Sequence, residues 1–485
     1  MITGKRRYFA FLIALPALVV IILLKAVPFL DGMLLAFKKF SIAKGIFASP
    51  WVGGGNFGRL LGNEAFWGAL RNTLAMNASI YLAILLLSVI IGISLANIGN
   101  NRIFLILCAF FIVPFFIPQI CWDVLLIKLF SSQGWMQGQA SEMRPYLLDG
   151  KFVRFLYIAI EVIRWAGIIS SLIAFAVRKA PAPRRVAAAF KAALSVLLVG
   201  MAFLLVSDFE LLYPLVASPA YQLADTLSLY AFRAGMMMMD IGVASSLWLL
   251  QTIYCFAVLV LLLLFADGFI KNSVFPLSGN TVSAGQTAQK RANVAAIVIN
   301  AAYTVFLLII LLLTAIAFFG TGRWVSMPLF LHGGVIYLIL AIISSAIGIL
   351  LSVTLAYPLT TVSPAARKTY AVIFIILLAV GQFGIHDYIF IKSLGMVNTY
   401  FSILVTNMFN PVYALILAAF YNQKTCNTPA PFGKFLKVGF PAIAGLFVAA
   451  ILLNMDSFTA SLLYTSKADM YSPSVQIFRG MNHME

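Results

Sequence analysis

Apolar runs of about 20 residues recur along the whole chain, each long enough to cross roughly 30 Å of hydrocarbon as a helix. In the first half they lie near 9–30, 72–98, 103–130, 153–177, 187–208 and 243–267. In the second half they lie near 294–319, 334–358, 369–391, 400–421 and 439–463. Backbone in lipid must satisfy its own hydrogen bonds, so runs of this length are expected to be helical. The expected fold class is all-α: a polytopic membrane protein with about 11 transmembrane helices. Composition points the same way. Of 485 residues, 62% are apolar and 10% charged, against roughly half and a quarter in a soluble domain. This balance excludes a soluble enzyme, a disordered tail and a nucleic-acid-binding domain.

The formal charge of +18 fits cytoplasmic Lys and Arg that hold the topology, not contact with nucleic acid. Lys5, Arg6 and Arg7 precede the first run. That run is too long for a signal-peptide core and ends on no small-residue cleavage site, so it reads as an uncleaved first span. With the N-terminus inside, the even-numbered connections are cytoplasmic. They carry Arg102; Arg178, Lys179, Arg184 and Arg185; Lys271, Lys290 and Arg291; Arg367 and Lys368; and Lys424, Lys434 and Lys437. Lys38, Lys39, Lys44, Arg59, Arg144 and Lys151 fall on the outer side. Eleven spans place the C-terminal tail, 464–485, outside. Residues 271–293 have the Ser, Gly, Thr, Asn and Gln content of a linker. They divide the chain into a first half (1–270) of six spans and a second half (294–485) of five. Both halves start on the same side, so the halves are parallel. "IGISLAN" (91–97) and "LSVTLAY" (351–357) are a weak internal echo.

Ionisable groups inside spans are costly and therefore draw a functional reading. Asp123 lies in the third span, Glu161 in the fourth, Asp456 in the eleventh, and Asp387 near the outer end of the ninth beside His386. A bland alternative pairs Glu161 with Arg164, three residues on and on the same helical face. Asp387 and His386 have their own, in the headgroup region. His332, His386 and His483 show no metal-ligand spacing. No GxxxxGK[ST] loop occurs, so the expectation is no enzyme activity, no cofactor and no metal, with any ATPase a separate subunit. Cys108, Cys121, Cys255 and Cys426 are scattered and read as small apolar residues. Trp51, Trp67, Trp122, Trp135, Trp165 and Trp324 fall mostly near span ends, as in an interfacial aromatic belt. Some of them could instead line a sugar pathway. Met236–Met239 reads as flexible apolar filler in an outer loop.

The order of longer motifs resembles the permease subunits of binding-protein-dependent ABC importers, in the branch that serves oligosaccharides. Residues 11–61 ("FLIALPALVV…AFKKFSIAKGIFASPWVGGGNFGRLL") are similar to that family's LPAL, AFKDFS, KGI and SPWVGLxNF series. "FWGALRNTL" (66–74) resembles FWxxLRNTL, "VPFFIPQICWDVLL" (113–126) resembles the LPHFISWVV region, and "IEVIRWAG" (160–167) resembles SEIWKxxG. Residues 208–235 are similar to the outer-loop pattern and keep Phe209, Glu210, Ala224, Asp225, Tyr230, Arg233 and Gly235. In the second half, "DYIFIKSLGMVNTYFSILV" (387–405), "NMDSFTASLLYTS" (454–466) and "YSPSVQIFRG" (471–480) resemble the companion subunit. The resemblance implies two permeases fused in one chain, in the plasma membrane of a prokaryote. It also implies a carbohydrate solute, an extracytoplasmic solute-binding protein, a separate ATPase and surrounding membrane lipid as partners.

The resemblance further implies a solute pathway. Tyr388 and Asp456 fall within family-like motifs, while Trp122, Asp123 and Phe458 are added on position and chemistry. Asp225, Tyr230 and Arg233 are the expected outer-loop contacts to a partner.

In that family each permease carries a cytoplasmic EAAxxxG segment whose short helix seats in a groove of the ATPase. Here the first such connection, around Ala182, Arg184 and Arg185, has no Glu, Asp or Gly in 178–194. Ala187–Ala189 read as part of the fifth span. The second connection, around Pro429, Pro431 and Lys434, lacks the EAA block, and its prolines oppose a helix. Both coupling segments read as deleted, and a sixth span expected after 471–480 is missing from the second half. Three readings therefore stay open: the importer permease, a non-transporting receptor or scaffold for a solute-binding protein, and an ATP-independent transporter.

Overall fold

The structure, a computed structural model, describes residues 4–130, 135, 146–216, 221–265, 294–320, 326–361, 384–408, 410–425, 431–455 and 457–482. The described residues are helical and hold no β-sheet; Lys38 and Trp51 form an isolated bridge. Among them, eight helices are long and apolar enough to cross a membrane, and a bent pair makes a ninth. The chain is thus an all-α polytopic membrane protein. The proposed linker 271–293 and most of the ninth expected span lie outside the described residues.

Two compact units form. Unit 1 gathers 1–63, 231–256 and 322–485, and unit 2 gathers 64–230 and 257–321. The first span enters unit 1 because one of its faces is made of small residues. Ala10, Ala14 and Ala17 of α1 (Gly4–Ile21) are fully buried. Ala10 and Ala17 belong to one apolar cluster with Ile349, Val353 and Ala356 of the helix Met327–Thr361. Helices in lipid gain little from hydrophobic burial, so close packing over small side chains is what joins them.

Unit 2 is built on two long helices, α2 (Glu64–Ala96) and α3 (Gly150–Lys179). They run parallel, because their contacts climb together. Arg154 donates to Asn72 (2.6 Å), Ser88 donates to the Ala166 carbonyl (3.3 Å), and a Cβ on Gly92 would meet Ile173 at 2.7 Å. At the far end Arg178 donates to the Ala96 and Ile98 carbonyls and to Asn101, with its guanidinium 3.7 Å above the Phe104 ring. Asp149 caps the start of α3 by accepting from the Lys151 N–H, and Pro181 follows its last turn. Asn300 and Ser94 tie Val294–Phe319 to α2 at 2.8 Å.

The third expected span is not one helix. It divides into Asn101–Phe116 and Gln119–Phe130, bent by 77°. Pro118 explains the break. It pushes Ile117 out of the helical region, to φ −73° and ψ 127°, and it has no N–H to continue the ladder. The fifth expected span, 187–208, is also shorter, ending as a helix at Arg185–Met201. Beyond it, Asn77 of α2 donates to the Leu204 and Val206 carbonyls at 2.8 Å, holding the chain in turns.

Asn101–Phe116 crosses α3 at Gly167, where an added Cβ would lie 1.7 Å from the Phe111 carbonyl oxygen. Gly167→Ala must push the two helices apart. The expected loss is about 3 kcal/mol, read as a fall in the melting temperature of the detergent-solubilised protein. The matched control is Gly68→Ala, whose Cβ meets nothing within 4 Å. It should be neutral or slightly stabilising.

Candidate functional site

A buried polar cluster sits in unit 2, around Arg164. The fourth span carries Glu161 and Arg164 one turn apart, and the guanidinium bonds Glu161 Oε1 at 2.5 Å. The same Nη1 reaches Asp208 Oδ2 at 2.7 Å. Glu161 Oε2 also accepts from the Trp165 indole at 3.1 Å, and Asp208 Oδ2 from Gln119 at 3.2 Å. Asp208 Oδ1 caps Phe209–Leu212 by accepting from the N–H groups of Glu210 and Leu211. The Asp208 N–H donates to the Tyr157 hydroxyl at 3.0 Å. Sequence reasoning paired Glu161 with Arg164 but missed Asp208, 44 residues further on. Its signal was an Asp standing just before a short apolar helical stretch.

The segment that follows is closed onto the helices. Ser207 donates to Thr226 (2.8 Å) and Ser228 (3.0 Å), Leu227 N–H donates to Thr73, and Arg154 donates to the Leu223 carbonyl. Asp225 is 5% exposed and Tyr230 7%. Tyr230 lies edge-on to Phe66 at 6.3 Å. Asp225 and Tyr230, the expected outer-loop contacts to a partner, are both buried in this structure. Arg233, half-buried, opens the π-helical stretch Arg233–Met237 of unit 1. Near it Asp240 pairs with Arg59 at 2.6 Å, and Met237, Met238 and Met239 are exposed.

Unit 1 assembles the second set of motifs. Tyr388, in Ile385–Ser393, stacks on Tyr464 at 6.2 Å and 7°. Asn398, at φ 60°, donates its N–H to the Tyr464 carbonyl at 2.7 Å, and its side chain accepts from both the N–H and the hydroxyl of Ser466. The Ser472 N–H donates to Ser461, and Gln476 donates to the Tyr471 carbonyl. Asn454 and Asn407 close the other end on Ser345 and Ser457. The segments 387–405, 454–466 and 471–480 thus form one body, in which Tyr464 and Asn398 are central. His386, 1% exposed, is wedged against Trp248 with ring centroids 4.0 Å apart. A Cβ on Gly32 would meet both rings at 2.8 Å.

Of the expected pathway residues, Trp122 and Asp123 are fully buried in Gln119–Phe130 of unit 2. Tyr388 and Phe458 lie in unit 1, with Phe458 buried edge-on to Phe478 at 5.6 Å. Asp456 lies outside the described residues. The first expected coupling connection consists of residues 180–184, including one 3-10 turn at Ala182–Arg184, and the next helix starts at Arg185. Arg184 is exposed, and Ala187–Ala189 lie within that helix. In the second, Pro429 lies outside the described residues, Pro431 is the N-cap of Phe432–Asn454, and the Lys434 N–H donates back to the Pro431 carbonyl.

Arg164 neutralises one of two carboxylates whose other partners are all neutral donors. Arg164→Met should cost about 3–5 kcal/mol, because it strands both acids in low dielectric. Adding Glu161→Gln to that variant should recover part of the loss. Thermal unfolding of the two single variants and the double variant measures the coupling, and strict additivity would contradict the bridge.

No family model matches the sequence, and no curated protein matches it. Among solved structures, the chain is similar to one described as a bacterial ABC transporter involved in the import of the acidic polysaccharide alginate. The identity is 20% and the TM-score 0.46, covering 55% of this chain and 96% of that one. A second is a bacterial alginate ABC transporter in complex with alginate pentasaccharide-bound periplasmic protein. There the identity is 17% and the TM-score 0.46, covering 56% of this chain and 98% of that one.

Proposed function

We propose that this chain is the membrane-spanning permease component of a carbohydrate import system of the ABC type. The observation that carries the reading is the joining of permease-like motifs far apart in sequence. Arg164 of the 160–167 motif bonds Asp208 of the 208–235 motif, and Asn398 of the 387–405 motif bonds Tyr464 and Ser466 of the 454–466 motif. Within each unit these motifs are tied to one another by hydrogen bonds. In this reading the chain is no enzyme itself. A separate ATPase drives it, and an extracytoplasmic binding protein delivers an oligosaccharide-type solute.

A second reading, a non-transporting receptor or scaffold for the binding protein, is favoured by the connection at 180–184. Five residues hold little more than one turn of α-helix. The first connection therefore offers no coupling helix among the described residues, and a power stroke needs a contact that distinguishes two states.

Affinity purification of the chain from its native host in mild detergent, with mass spectrometry of what is retained, separates the two. A stoichiometric ATPase is the expected result for the importer. A binding protein retained without any ATPase would replace it with the receptor reading, and neither partner retained would overturn both.

A further inference from the structure

Unit 2 contains a cavity of about 690 Å³ between α2, α3 and the helix Arg185–Met201. This is within the usual range of small-ligand sites. Its two ends differ. One end is lined by Asn77, Tyr157, Glu161, Ser207 and Asp208. Those residues share a level, because Asn77 holds the Leu204 and Val206 carbonyls and Tyr157 accepts from the Asp208 N–H. The rest runs down α3 past Ile168 to Leu172 and down α2 past Ile84 to Leu85, faced by Val196 and Leu197. Below the head end, Tyr81 lines the cavity one turn from Asn77, and the Ser195 hydroxyl donates to the Lys191 carbonyl at 2.8 Å.

A sugar does not suit this slot. Each pyranose carbon brings a hydroxyl or ring oxygen, and the largely apolar walls, aliphatic around Ile84, Ile168 and Leu172, would leave most of them without a partner, at a cost of about 1–3 kcal/mol each. An alkyl chain suits it. From Glu161 to Leu172 the helix rises about 16 Å, the reach of a dodecyl chain. The head end selects the charge. Glu161 and Asp208 carry two formal negative charges against the single positive charge of Arg164. Glu161 Oε1 accepts from Arg164 and Oε2 from Trp165, and a carboxylate oxygen has room for about two. An ammonium supplies donors and the missing positive charge, whereas a carboxylate or sulfate head would add like charge.

We propose that this cavity binds an ammonium-headed alkyl amphiphile, with the head at Glu161 and Asp208 and the chain along Ile84, Ile168 and Leu172. The site stands on its own lining and does not depend on the transport reading. Its occupant comes from one of two sources, an ethanolamine-type membrane lipid or an alkylamine that the protein carries.

The test uses the full chain in detergent with dodecylamine, dodecanol and dodecanoate as probes carrying a brominated chain. Trp165 lines the cavity and supplies the fluorescence that bromine quenches; Trp165→Phe identifies its share of the signal. Dodecylamine should bind roughly tenfold or more tighter than dodecanoate. Glu161→Gln should remove that preference and leave dodecanol binding unchanged. Leu172→Trp, which fills the slot away from the charges, should weaken all three probes. Equal binding of the amine and the carboxylate by the unaltered protein would overturn the proposal, and so would quenching indifferent to Leu172→Trp. An ethanolamine lipid retained at one per chain in native mass spectrometry assigns the source as lipid. Dodecylamine accumulated by protein-containing vesicles assigns it as solute.

Discussion

Much of unit 2 depends on one guanidinium held between two carboxylates inside an apolar helix bundle. Arg164 cannot give up its charge, and in low dielectric an unpaired charge costs several kcal/mol. The position of Asp208 is therefore dictated: the chain leaving Arg185–Met201 must return a carboxylate to the fourth span. Asp208 then caps the next helical turn and receives Gln119, so the same bond orders the start of the segment 209–230 and meets Gln119–Phe130. Ser207, Thr226 and Leu227 fold back on this point. This segment is thus an extension of the helical core, which is why Asp225 and Tyr230 are buried.

The second constraint is the lack of a hydrophobic force between helices in lipid. Packing must come from close backbone approach and from internally satisfied polar groups. Gly167 against Phe111, Gly92 against Ile173 and Gly348 against the Met408 carbonyl mark where helices touch. Hydroxyls inside the spans bond carbonyls four residues back, as Thr73 does to Ala69 and Ser352 to Gly348. The alanine face of the first span follows the same rule and joins it to Met327–Thr361 in unit 1. Spans adjacent in sequence are under no obligation to share a unit.

The helical class and most of the spans were legible because hydropathy over 20 residues is a property of the run itself. Breaks were less legible. Pro118 was visible, yet composition on both sides read as one continuous span. The early end of Arg185–Met201 is set by Asn77, which lies 127 residues from Leu204 and leaves no trace near the helix end. The candidate site divides in the same way. Glu161 with Arg164 is a local helical pair and could be read directly, whereas Asp208 and the Asn398–Ser466 bonds are contacts across the fold. Burial of Asp225 and Tyr230 was invisible because a polar or phenolic residue in a loop pattern gives no sign of which way it faces.

The central claim, a permease component for carbohydrate import, is tested most directly by uptake. The gene is deleted in the native host, and a panel of labelled oligosaccharides is followed into the cells. Loss of uptake of one saccharide, restored by the intact chain and not by the Arg164→Met variant, is the predicted result. Unchanged uptake of every saccharide in the deletion strain would contradict the account and leave a membrane receptor as the function to pursue.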